Sequence, residues 1–147
     1  MTLGAAQLTT MLQENGHIPD AVVTHVAFAP FETDGIGSEF LRATLSYSSS
    51  IHTLPTRMVV KRPLVGDRGL GELDVYERIL ATASDLPLVP YFGAIDEGGD
   101  APIALFFADL SATHTQSKWP VIPTLANCAR AVQTLGRYPR ALVGTRG

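Results

Sequence analysis

Apolar positions recur along the chain in two ways: every second residue or in short unbroken runs, as in strands, and every third or fourth residue, as in helices. Leu8, Met11 and Leu12 predict a helix over 8–13, and Asn15-Gly16 supplies its stop, because glycine readily takes the left-handed residue past a helix end. Residues 20–28 read as a first strand, ended or bulged by Pro30, which cannot donate to a ladder. Residues 40–47 alternate as a half-buried second strand, and 57–62 form a third, closed by Pro63. Residues 88–95 make a fourth strand whose Pro90 suits an edge or a bulge. The near-continuous apolar run 102–107 predicts a fifth, buried on both faces. Between the third and fourth strands, Leu73, Tyr76, Ile79, Leu80 and Ala83 form one apolar stripe of a helix over 72–83. A last helix from Pro123 puts Leu125, Cys128, Ala129, Val132 and Leu135 on one face, with Cys128 as a small core residue. The order predicts an α+β fold: a five-stranded antiparallel sheet with one packed helix, plus N-terminal and C-terminal helices.

Composition narrows the classes this fold can serve. At 147 residues the chain is one domain's worth and can bury one core. No apolar run approaches the ~20 residues of a membrane helix, and the first residues lack the basic and apolar regions of a secretory signal. Net charge is -3 with no basic stripe, so no nucleic-acid and no membrane partner is expected. The single Cys128 excludes an internal disulfide and a multi-thiolate zinc site. His17, His25, His52 and His114 stand without ligand spacing, so no metal site of side chains is expected, and the default location is cytoplasmic.

Candidate chemistry begins at Met58-Val59-Val60-Lys61, a strand-like run that closes on a lysine. Buried strands favour β-branched residues, and an ammonium is seldom buried without a partner. Glu72, at the head of the predicted helix, is one candidate partner and Glu77 a competing one. A strand lysine held by a helix glutamate is the arrangement of a kinase-type nucleotide site. The plainer reading is a strand-end lysine reaching solvent, with Glu72 complementing the helix dipole. Gly35-Ile36-Gly37-Ser38 lies in a polar turn between two strands. Such a turn is by default a hairpin connection, but its glycines also let backbone N–H groups lie over phosphates. The stretch 66–71 looks superficially like a phosphate loop but lacks the Gly-Lys-Ser or Gly-Lys-Thr of a Walker motif. It reads as a flexible lead-in to the helix.

Taken together, the order strand, glycine turn, strand, lysine-ended strand, glutamate-headed helix, strand, strand, linker and helix resembles the amino-terminal lobe of the protein-kinase-like fold. The resemblance is nearest to small-molecule kinases of the aminoglycoside phosphotransferase type, including the choline-kinase-like and ecdysteroid-kinase-like branches. Four stretches carry it: 35–38, 58–61, Gly71-Glu72-Leu73-Asp74-Val75-Tyr76, and Leu105-Phe106-Phe107-Ala108-Asp109-Leu110-Ser111. That family typically follows the glutamate with a tyrosine four residues on, and has an acidic-Asp-Leu-Ser segment after the fifth strand. Ala108 stands here in place of the acidic residue.

The resemblance implies ATP and Mg as cofactors. It implies that Lys61 binds the α- and β-phosphates, that Glu72 pairs with Lys61, and that Gly35, Ile36, Gly37 and Ser38 cover the phosphates. Phe107, Ala108, Asp109 and Leu110 would be the hinge, offering a carbonyl and an N–H to the adenine edge, with Val60 and Leu45 touching the purine. Residues 1–110 would form the lobe with its N-terminal helix, 111–138 a linker and the first helix of a second lobe, and 139–147 an irregular tail. In that family the second lobe supplies the catalytic aspartate, an asparagine and a metal-binding aspartate. No His-Gly-Asp or His-Arg-Asp loop follows here, and Asp109 is the last acidic residue. Residues 134–139 begin the family's helix ending and then depart from it.

The chain therefore reads as one that leaves its family early, by truncation or a shifted frame: an ATP-binding lobe of a small-molecule phosphotransferase, inactive alone. Its expected partners are a weakly bound nucleotide, a small-molecule acceptor only with a second lobe, and another copy through an exposed apolar surface. The alternative is a non-catalytic α+β binding or interaction module in which Lys61–Glu72 is an ordinary ion pair. Geometry separates the two. The kinase-lobe reading requires the fifth strand beside the third, and Lys61 and Glu72 in a common cleft.

Overall fold

The period-two stretches build a single antiparallel sheet in a computed structural model of the chain, which describes residues 3–31, 37–49, 55–82, 86–114 and 123–137. Its strands are β1 (Val23–Pro30), β2 (Ser38–Tyr47), β3 (Arg57–Pro63), β4 (Tyr91–Ile95) and β5 (Ala104–Ala108), in the order β1-β2-β3-β5-β4. The fold is α+β. Helix α1 (Ala5–Glu14) precedes the sheet, α2 (Leu70–Asp74) lies between β3 and β4, and α3 (Leu125–Leu135) follows β5. β5 is inserted between β3 and β4, with Val60 opposite Phe106 and Lys61 opposite Leu105. Its side chains from Ala104 to Phe107 are buried, as the unbroken apolar run requires.

α1 lies across the first face of the sheet, reaching both β1 and β4. Its Leu8, Met11 and Leu12 pack with Leu45, Met58, Val60, Ile95 and Phe106. Contact is closest at Gly93, whose φ is +137° and where a Cβ would stand 2.6 Å from Met11 Sδ. On the second face, Ile103, Leu105 and Phe107 form a smaller core with Leu73, Tyr76, Tyr91 and Ala94.

Several boundaries differ from the sequence pattern, each for a local reason. β1 begins at Val23, not residue 20, because the Ala21 carbonyl accepts from the Gln13 side chain and the Val23 N–H from β1 bonds Thr9 Oγ1. β4 begins at Tyr91, after Pro87 and Pro90, and carries a register shift between Tyr91 and Gly93. As Pro90 suggested, β4 is an edge strand; so is β1, which ends on Pro30.

The helix expected over 72–83 opens at Leu70 and keeps α-helical winding only to Asp74. It then widens into a π turn over Val75–Ile79 and tightens into a 3₁₀ turn over Leu80–Thr82. This change of pitch breaks the single stripe: Leu73 and Tyr76 pack on the sheet, while Val75 and Ile79 are exposed. Ala83 lies outside the described residues.

α3 buries none of its residues. The expectation of Cys128 as a core residue is therefore corrected, because its thiol is exposed along with Leu125, Val132 and Leu135. Among the described residues no helix is long and apolar enough to cross a membrane.

Candidate functional site

Strand alternation decides which side chains can share a site with Lys61. On β3 it pairs with Phe40 of β2 and Leu105 of β5, while its neighbour Val60 points to the opposite face. Val60 and Leu45 are buried in the core beneath α1, so the expectation that they touch a purine is corrected. The α2 segment covers the β5–β4 half of the second face. That leaves a strip of β2 and β3 partly open: Phe40, Arg42, Val59 and Lys61. These side chains are brought together by register, since Arg42 pairs with Val59, and Val59 with Phe107.

Lys61 Nζ donates to Glu72 Oε1 at 2.7 Å, with both side chains about a quarter exposed (26% and 27%). Glu77, the competing candidate, is instead 3.5 Å from the Tyr91 hydroxyl. Burial, with Glu77 adding to it, pushes the Tyr91 phenol well above its ordinary range. Tyr91 stacks on Tyr76, and both rings meet Phe107, so three aromatics fix the helix that carries Glu72. The tyrosine four residues after the glutamate thus acts through packing. Lys61 Nζ also lies 6.0 Å from the Phe40 ring centroid.

Of the glycine turn, Gly35 and Ile36 lie outside the described residues. Gly37 has φ +74°, its carbonyl accepts from Leu64 N–H at 2.9 Å, and a Cβ there would meet Val65 at 2.9 Å. The end of the turn is thereby seated over the segment that leaves β3. Ser38 opens β2 opposite Pro63.

The linker residues divide in role. Phe107 is paired on both sides within the sheet, and the Ala108 N–H goes to the Pro90 carbonyl. The Leu110 carbonyl accepts from Thr113 and His114 N–H. The Asp109 side chain is 2% exposed and bonded to Arg42. The sequence reading missed Arg42, Phe40 and Val59; alternation counted from Lys61 across the neighbouring strand would have found them.

The stretch 66–71 is pinned to the β4–β5 turn rather than a flexible lead-in. Arg68, at φ +64°, donates from Nε to the Ala101 carbonyl at 2.7 Å, pairs with Asp96, and accepts from Ile103 N–H through its own carbonyl. Asp96 is held below the usual carboxylate range chiefly by the Gly98 N–H, with Arg68 contributing. The Gly69 and Gly71 N–H groups, which could have met a phosphate, donate to the Asp67 carboxylate. The loop carries its own anion.

Among the described residues no three His, Cys, Asp or Glu side chains come together, and the Asp109 carboxylate is already engaged. Fold and site together define an α+β chain with a glutamate-paired lysine on a partly open sheet face. No family model, curated protein or solved structure matches the chain.

Proposed function

We propose that the chain is the ATP-binding lobe of a small-molecule phosphotransferase, working in the cytoplasm. One observation carries this reading: Lys61 on β3, beside β5 in the order β1-β2-β3-β5-β4, is bonded at 2.7 Å to Glu72 of the helix that follows it. In this reading a purine lies on Val59 and Phe40, within reach of the linker after β5, and the α- and β-phosphates meet Lys61. The ammonium has three donors, so it can keep Glu72 and still meet phosphate oxygens. No step is assigned to a metal. The chain has no carboxylate after Asp109 to serve as a base, so it performs no phosphoryl transfer alone. Acceptor binding and turnover would need a second lobe.

One lysine that is already paired supports only feeble affinity, about millimolar or ~4 kcal/mol. Titration of the ¹⁵N-labelled chain with Mg-ATP, read by amide shifts, tests this. Shifts should centre on residues 59–61 and 108–110 and disappear in Lys61→Met. That variant should cost the fold no more than about 1 kcal/mol, since the ion pair is partly solvated. Micromolar affinity, or shifts elsewhere in the chain, would contradict the reading.

A second reading, an interaction module, is favoured by α3, whose Leu125, Val132 and Leu135 are all exposed on one helix. In this reading Lys61–Glu72 is an ordinary ion pair, and the apolar side of α3 meets another copy of the chain. Sedimentation velocity distinguishes it: concentration-dependent dimers without an amide response to Mg-ATP would favour the module.

A further inference from the structure

The chain leaves the sheet through Asp109, which is held by more than a connecting segment requires. Its side chain is 2% exposed, and Oδ2 accepts from Arg42 Nε at 2.8 Å and lies 3.5 Å from Arg57 Nε. Oδ1 accepts from Ser111 N–H at 3.0 Å. Arg42 comes from β2 and Arg57 opens β3, so one carboxylate ties the exit of β5 to two other strands. Arg42 is itself braced: its guanidinium lies 4.8 Å from the Phe31 ring centroid and reaches Ser111 Oγ at 3.4 Å.

A hollow of about 360 Å³ opens beside the linker, bordered by Pro55, Arg57, Ala108, Asp109, Ser111 and Ala112. On its other side the linker is held by the Asp109 ion pairs. A carboxylate whose side chain is this closely held is disfavoured away from its two arginines, so breaking these pairs should loosen the linker.

We propose that Asp109 is a positioning residue. Through Arg42 and Arg57 it fixes residues 108–111 beside the open strip, and so decides which linker backbone groups a ligand seated on Val59 meets. The identity of that ligand rests on the nucleotide reading above; the clamp does not.

Amide hydrogen exchange of the full chain, with and without Asp109→Asn, tests the clamp. The Ser111, Thr113 and His114 amides should exchange at least tenfold faster in the variant, while Val60 and Phe106 stay within twofold. Arg57→Gln, which removes only the half-exposed arm, should give a smaller acceleration confined to the same amides, and it decides the matter if Asp109→Asn fails to fold. Unchanged linker exchange, or acceleration spread evenly over the sheet, would overturn the proposal, the latter by showing a general stabilising role. Mg-ATP separates the two readings. If the parent chain shows no amide response, the nucleotide reading falls while the exchange result still judges the clamp. If it responds, Asp109→Asn should weaken the shifts at 108–110 more than those at 59–61, and an equal loss at both would count against the clamp.

Discussion

Tyr47 closes β2 with its hydroxyl donating to the Pro55 carbonyl at 2.7 Å, and burial pushes the phenol up to about 12. A folded pKa above the unfolded value of ~10 favours the protonated form in the native state. The resulting stability is fully present below about pH 10 and is lost as pH rises toward 12. Urea unfolding followed from pH 9 to 12 should show the parent chain losing stability across that window, and Tyr47→Phe should remove this part of the slope. A slope identical in the two would exclude Tyr47 as its source. Residues of this kind were only partly legible in the sequence. The partnership of Lys61 with Glu72 rather than Glu77 could be proposed from spacing but not chosen. The choice depends on the π turn, which directs Tyr76 onto Tyr91 and Phe107 and leaves Glu77 at the Tyr91 hydroxyl. The arginines that hold Asp109 lie 67 and 52 positions before it in the sequence, and no local pattern joins them.

At the scale of elements, the strands were readable because alternation and proline act locally, and one boundary, the start of β1, moved where side chains from α1 captured backbone groups. Gln13 taking the Ala21 carbonyl is one such capture. The helix after β3 was the least readable element. Its heptad-like spacing is genuine, but Arg68 and Asp67 fix its start two residues early, and the π turn then rotates Ile79 out to solvent. Packing between elements yields a prediction at Gly93. An alanine there would need φ near +137° and would press its methyl against Met11 Sδ, and against Asn15 Nδ2 at 2.8 Å. Gly93→Ala should therefore destabilise the fold by about 2–4 kcal/mol, combining backbone strain with overpacking. Equilibrium denaturation checks this, and a change below about 0.5 kcal/mol would mean that α1 does not sit against β4 as described.

For the whole molecule, the sheet order follows from burial. The most apolar strand, β5, takes an inner position between β3 and β4, and β1, which ends on Pro30, and β4, which Pro90 precedes, take the edges. Stability should accordingly reside in residues 3–114. α3 buries nothing, so ending the chain at His114 should move the melting temperature by no more than about 3 °C, equivalent to under ~1 kcal/mol. A drop beyond about 8 °C would reveal packing by the deleted part. The close approach of α1 to the sheet has a chemical consequence as well. Met11 is 4% exposed, and its sulfur fills the space left by the missing side chain of Gly93. Oxidation to the sulfoxide would add a polar oxygen where there is no room for one, so folding should shield this thioether from peroxide. Peptide mass spectrometry after brief peroxide treatment should find Met11 oxidised far more slowly in the native chain than in urea. Once oxidised, the chain should release α1 before the strands, which makes this one sulfur a chemical latch on the whole fold.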